Sequence, residues 1–135
     1  MPVPQDYIEA WMQRAERDLQ TAEAMRQSGF FDACALYCQQ AVEKLLKAYY
    51  MVRESADPPR THKLVELAAR LGVPYDLAED LHDLENDYIQ SRYPDALMGV
   101  GGTAYDDAVA EERLSTVARI REWVDAGMAK GRSNG

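Results

Sequence analysis

Apolar residues recur every three or four positions along most of this chain, a period that belongs to amphipathic helices and not to strands. Between Gln5 and about Gln27 the recurring positions are Ile8, Trp11, Ala15, Leu19, Ala22 and Met25. Ser28 and Gly29 end that helix. A second helix, from about Phe30 to Arg53, follows with almost no loop, so the two must pack antiparallel. The prolines of SADPPR forbid continuation, and Thr61 then reads as the N-cap of a short third helix carrying Leu64, Leu67 and Leu71. Gly72 and Pro74 stop it. A fourth helix spans about Tyr75 to Gln90, with Leu77, Leu81, Leu84 and Tyr88 on one side and Ile89 adjoining. From Ser91 to Ala104 the text SRYPDALMGVGGTA loses the period, because Pro94 biases Tyr93 away from helix and three glycines loosen the rest. The last helix, about Tyr105 to Met128, turns Ala110, Leu114, Val117, Ile120 and Val124 inward, and GRSNG at 131–135 reads as a disordered tail. No alternating strand pattern and no internal repeat occurs. The expected architecture is all-α: an up-and-down antiparallel four-helix bundle with an additional short helix, forming one domain over residues 1–130.

The second helix departs from simple amphipathicity. Its central text, LYCQQAVEKLLKAYY from Leu36 to Tyr50, is apolar on nearly every side except for one row, Gln40, Glu43, Lys44 and Lys47, that shares a face. Such a helix is either central to its fold or half buried against another subunit, and the second alternative predicts a homodimer. The polar row needs partners, supplied by an internal salt-bridge network or by a ligand.

Composition narrows the setting. The chain has 135 residues and a mass of 15.2 kDa, enough for one core. A hydrophobic fraction of 47% is ordinary for a globular protein, and the uncharged apolar runs fall far short of a bilayer span. The N-terminal text MPVPQDYIEAW has neither a basic leader nor an apolar signal core, which makes the cytoplasm the expected location. Net charge of −8 opposes non-specific binding to DNA. Arg53, Arg60, His62, Lys63 and Arg70 nevertheless fall close together, and Arg92 stands in a later turn, so a local anion site is compatible with the overall charge.

Cysteine and histidine chemistry points away from metals. Cys34 and Cys38, at i and i+4 on a helix, hold their Cβ atoms about 5–6 Å apart, too far for a relaxed disulfide, and read as buried thiols. Glu79 and His82 form a Glu-x-x-His pair, but a di-iron bundle needs two such pairs and further inward glutamates, so no metal or other cofactor is expected. The glycines of GVGGT follow no strand and make a loop that admits a ligand or partner, not a dinucleotide fingerprint.

The candidate ligand-binding residues are Arg92, Tyr93, Lys44, Lys47, Glu43 and His62. A guanidinium beside a proline turn, as at Arg92, presents a fork suited to phosphate or carboxylate, although pairing with Asp95 or Glu43 would satisfy it internally. Tyr93 suits stacking on a base, or packing on Pro94. Lys44 and Lys47 bring positive charge to a phosphate, with Glu43 holding one of them; as a solvated stripe they would have no such role. His62 follows the expected cap, where a helix N-terminus receives anions, or else hydrogen-bonds to a neighbouring carboxylate.

Trp11 with Ala15 and Asp18-Leu19, then QQAVEKLLKA from Gln39 to Ala48, then THKLVEL, then DYIQSRYPDA ending at Ala96, together resemble the HEPN family over almost the whole chain. That resemblance implies a helical bundle that pairs into dimers, often encoded beside a minimal nucleotidyltransferase, with roles in nucleotide binding or RNA cleavage in toxin–antitoxin and defence systems. Ribonuclease members are expected to carry an Arg followed, after four to six residues, by His. Here Arg92 would be that Arg, but Leu97, Met98 and Gly99 occupy the His positions. None of these titrates near neutral pH, so the resemblance implies binding of a nucleotide or partner protein and not turnover. Two rivals stand beside it. One is an RNA endonuclease using Arg92 with a displaced base, His62 or His82; the other is a structural adaptor whose polar row is an internal ion-pair network.

Overall fold

The computed structural model describes residues 3–91 and 105–134, with side chains as far as Gly131. Five helices account for most of them: α1 (Gln5–Gln27), α2 (Phe31–Glu54), α3 (Leu64–Leu71), α4 (Tyr75–Gln90) and α5 (Asp107–Asn134). No strand occurs among the described residues.

Local chemistry sets the ends of α1 and α5. Gly29 adopts φ +82°, a left-handed conformation that a Cβ would disfavour. There the Phe30 N–H reaches the Met25 carbonyl at 2.8 Å and the Gly29 N–H reaches that of Arg26 at 3.0 Å, the paired closure that ends a helix and turns the chain back within three residues. At the start of α5 the Asp106 carboxylate accepts the Val109 N–H at 2.8 Å, which places the cap at Asp106 and the first helical residue at Asp107. A bidentate bond from Arg26 to Asp107, at 2.8 and 3.2 Å, ties the end of α1 to that start.

Two boundaries differ from expectation. Thr61 does not cap α3: its hydroxyl accepts the Lys63 N–H at 3.1 Å, closing a local turn, and the helix begins only at Leu64. His62 therefore belongs to the α2–α3 loop and not to the first turn of a helix. The final helix continues to Asn134 through part of the text expected as a tail, and a Cβ at Gly131 would sit only 3.5 Å from Val52 of α2, so the extension runs against the packed body of the protein.

Helix α2 lies at the centre and packs against every other helix. Leu46 and Met51 of α2 join Leu64, Leu67 and Leu71 of α3, Leu81 and Leu84 of α4, and Val117, Ile120 and Val124 of α5 in one fully buried core. The apolar sides of α2 are thus covered by the chain's own helices, and its composition by itself no longer requires a second subunit. Cys34 and Cys38 are free and buried in this core. The Cys38 thiol hydrogen-bonds to Cys34 and holds it below the ordinary thiol range, while that same bond and burial push Cys38 upward.

Candidate functional site

One polar seam crosses this core, and it begins with carboxylates that stand in register with apolar stripes. Asp18 sits between Ala15 and Ala22 on the buried face of α1, where its charge needs a partner. Lys44 supplies it, with Nζ 2.5 Å from Asp18 Oδ2. One residue before Lys44 on α2, Glu43 is the acceptor for three side chains. Gln39 Nε2 lies 3.1 Å and His62 Nδ1 2.7 Å from Oε1, and Lys47 Nζ lies 3.2 Å from Oε2. Gln40 joins the two halves, donating to Gln39 at 2.7 Å while its own oxygen lies 3.5 Å from Lys44. No buried side-chain polar atom among the described residues lacks a partner.

Charge in the seam balances. Asp18 offsets Lys44 and Glu43 offsets Lys47, so the polar row is neutral before His62 is counted, and any excess positive charge for an anion has to come from elsewhere. His62 is the exposed end of the seam, with 55% of its side chain accessible against 9% for Glu43. Its ring stacks on Tyr88 of α4 at a centroid distance of 4.5 Å and an angle of 16°. With Nδ1 turned to the carboxylate, Nε2 has no partner among the described residues. Of the predicted residues, Glu43, Lys47 and His62 are brought together, while Lys44, on α2 with Glu43 and Lys47, turns to Asp18. Arg92 and Tyr93 lie outside the described residues, and α4 ends one residue earlier at the Ser91 cap.

The other end of the seam opens to solvent beside Trp11. Lys47 Nζ stands 6.0 Å from the centre of the Trp11 ring, and Tyr7 meets that ring at 6.1 Å and 81°. A cleft of about 300 Å³ here is walled by Tyr7, Trp11, Lys47 and the loop 57–60, which presents two prolines and Arg60. Across the same two aromatic residues lies a second, more apolar cleft of about 260 Å³, reaching Ala10, Arg14 and Lys44.

A second buried charge cluster was not anticipated. Asp87, 2% exposed on α4, receives Arg113 Nε at 2.6 Å and the Tyr105 hydroxyl at 2.8 Å. Burial and the Asp87 carboxylate push the Tyr105 hydroxyl well above its ordinary value. Arg113 is opposed by burial but held in its charged form by the hydrogen bond to Asp87. The signal available in the sequence was the position of Asp87, three residues after Leu84 on the apolar stripe, where a carboxylate must be paired. Among the described residues no group of His, Cys, Asp and Glu is arranged to hold a metal, and no helix is long and apolar enough to cross a membrane.

Comparison with known proteins adds the lineage. A family model described as the HEPN domain matches residues 8–127. The crystal structure of TT1696 from Thermus thermophilus superposes with a TM-score of 0.79 at 29% identity, covering 89% of this chain and 97% of that one. That of ST0689, described as an archaeal HEPN homologue, superposes with a TM-score of 0.75 at 28% identity, covering 90% and 97%. No curated protein matches the chain.

Proposed function

Because the chain belongs to the HEPN domain family, we propose that it is a binding member of that family and not a ribonuclease of the Arg/His type. Its ligand is a nucleotide or other phosphate-bearing molecule, held where the polar seam of α2 meets the end of α4. Its partner is a minimal nucleotidyltransferase in a toxin–antitoxin or defence setting, and its working form is a cytoplasmic homodimer. The observation that carries the reading is the meeting of Glu43, Lys47 and His62 beside Tyr88, four residues before Arg92. His62, whose ring is already oriented by Glu43 and Tyr88, is the described residue that would meet this ligand. Contacts of α2 with all four other helices support an up-and-down bundle with α3 as the added short helix. Calorimetric titration of nucleotides into the parent protein, Arg92→Ala and His62→Ala tests the ligand assignment. Saturable binding lost in both variants is expected; absence of binding by the parent would leave a protein-interaction module. A strictly monomeric species at micromolar concentration would overturn the dimer.

One observation favours a second reading. His62 Nδ1 lies 2.7 Å from Glu43 Oε1, and in the neutral tautomer that donates from Nδ1 the Nε2 atom is left as a proton acceptor, the arrangement of an oriented general base. The corresponding enzyme would cleave RNA with Arg92 stabilising the phosphate and His62 replacing the missing His. Purified protein that cleaves RNA, and loses the activity in both His62→Ala and Arg92→Ala, would establish it; inert parent protein would rule it out.

A further inference from the structure

Trp11 and Tyr7 stand as a ridge between the two clefts, and the charges on either side of that ridge differ in kind from those of the seam. Lys44 and Lys47 are neutralised by Asp18 and Glu43. Arg14 in the apolar cleft and Arg60 in the larger one have no ion pair or hydrogen bond among the described residues. Elsewhere Arg26, Arg113, Arg119 and Arg121 each hold a carboxylate, while exposed Arg17 on α1 is unpaired among the described residues but lines neither cleft. Two unpaired guanidiniums flanking an aromatic ridge, in a chain of net charge −8, are complementary to an anion that also carries a flat apolar group.

We propose that this ridge is the nucleoside subsite of the bound nucleotide, with Tyr7, Trp11 and Arg14 taking the base and Arg60 taking the phosphate. The inference rests on the nucleotide reading above and extends it to residues outside the predicted set. The base enters the cleft lined by Tyr7, Ala10 and Trp11, where every base offers a π-face and the Arg14 guanidinium can lie against it. Tyr7 meets Trp11 edge to face, so the two rings do not stack on one another in place of a ligand. The sugar and phosphate then cross the ridge into the larger cleft. Asp57, the carboxylate in that lining, accepts a ribose hydroxyl, and Arg60 beside it forms a forked pair with the phosphate. Lys47, which lines this cleft, is also the ion-pair partner of Glu43, the residue that receives His62.

The test is calorimetry with AMP, GMP, CMP and UMP as probes, and adenosine and pyrophosphate as the two halves of the first. Parent protein is compared with Tyr7→Ala and Arg60→Glu, both changes at exposed positions, and with Arg92→Ala, with circular dichroism confirming the fold of each. Nucleotide binding weakened about tenfold or more in both Tyr7→Ala and Arg60→Glu, with adenosine affinity unchanged in Arg60→Glu, is the expected result. Binding that persists in Tyr7→Ala and Arg60→Glu but is lost in Arg92→Ala would overturn this subsite and leave the nucleotide reading standing. Pyrophosphate bound as tightly as AMP would also overturn it. No binding of any mononucleotide by the parent protein would overturn both.

Discussion

Replacing Glu43 by Ala removes the common acceptor of three donors and leaves the Lys47 ammonium, 8% exposed, without its carboxylate. Uncoupling a buried ion pair by deleting one partner costs about 3–5 kcal/mol, because the remaining charge is neither hydrated nor paired. For a chain of this size that corresponds to a melting temperature lower by roughly 10–20 °C. Lys47→Met should cost less, about 1–2 kcal/mol, since Glu43 then keeps Gln39 and His62 as donors. Combining Glu43→Leu with Lys47→Met removes both charges and should recover to within about 1–2 kcal/mol of the parent, the remainder being the stranded amide of Gln39, which is fully buried. Urea and thermal unfolding followed by circular dichroism at neutral pH give all three values. A Glu43→Ala protein within about 1 kcal/mol of the parent, or a double variant no better than the worse single, would refute the account of the seam as a closed charge circuit.

Further outcomes follow from other contacts. A Cβ at Gly127 would lie 2.5 Å from both Cζ and Oη of Tyr49, whose ring is braced edge-on by Trp123 at 5.2 Å. Overpacking of about 1–3 kcal/mol should therefore outweigh the roughly 1 kcal/mol that alanine gains in a helix, and Gly127→Ala should melt lower. Gly131→Ala, whose Cβ would meet only Val52 at 3.5 Å, should melt at or above the parent temperature. The hydrogen bond from Arg26 holds the Asp107 carboxyl below its ordinary value of 3.8, so its contribution is present above that pH and is lost as pH falls through the depressed value. Asp107→Asn should accordingly be less stable than the parent near neutrality, and the two unfolding curves should converge well below pH 3.8. Cys34 and Cys38 are both 0% exposed, so a thiol reagent should label them only at the urea concentrations that unfold the protein; rapid labelling of the native state would contradict the packing.

Helix positions were legible because each helix buries a stripe with a 3.6-residue period, and the stripes of α1 and α4 can be read residue by residue. Boundaries set by side-chain bonds were less so. Thr61 has the chemistry of a cap, and only its bond to Lys63 shows that the hydroxyl closes a turn two residues before the helix. The polar row of α2 was visible as a row, but not its division: Lys44 and Lys47 are three residues apart, yet one crosses to α1 and the other stays on α2. Pairs such as Asp18 with Lys44 and Asp87 with Arg113, each separated by 26 residues, depend on how helices pack and leave no local period. What the sequence did offer was a charge inside an apolar stripe, at Asp18 and at Asp87, and each marks one of the buried ion pairs, beside that of Glu43 with Lys47. The cleft beside Trp11 has no signature in the sequence because it is assembled from α1, α2 and the loop 57–60, no one of which has the pattern of a site.

The central place of α2 has a consequence for the order in which the protein is made. The α1–α2 hairpin, closed by three residues, is complete once the first half of the chain has been synthesised, and its contacts are local enough to form quickly. The side of α2 that faces Val117, Ile120 and Val124 stays uncovered until the last helix leaves the ribosome. Growing chains therefore carry an exposed apolar surface from the emergence of α2 until that of α5, an interval in which capture by a chaperone or by another nascent copy competes with folding.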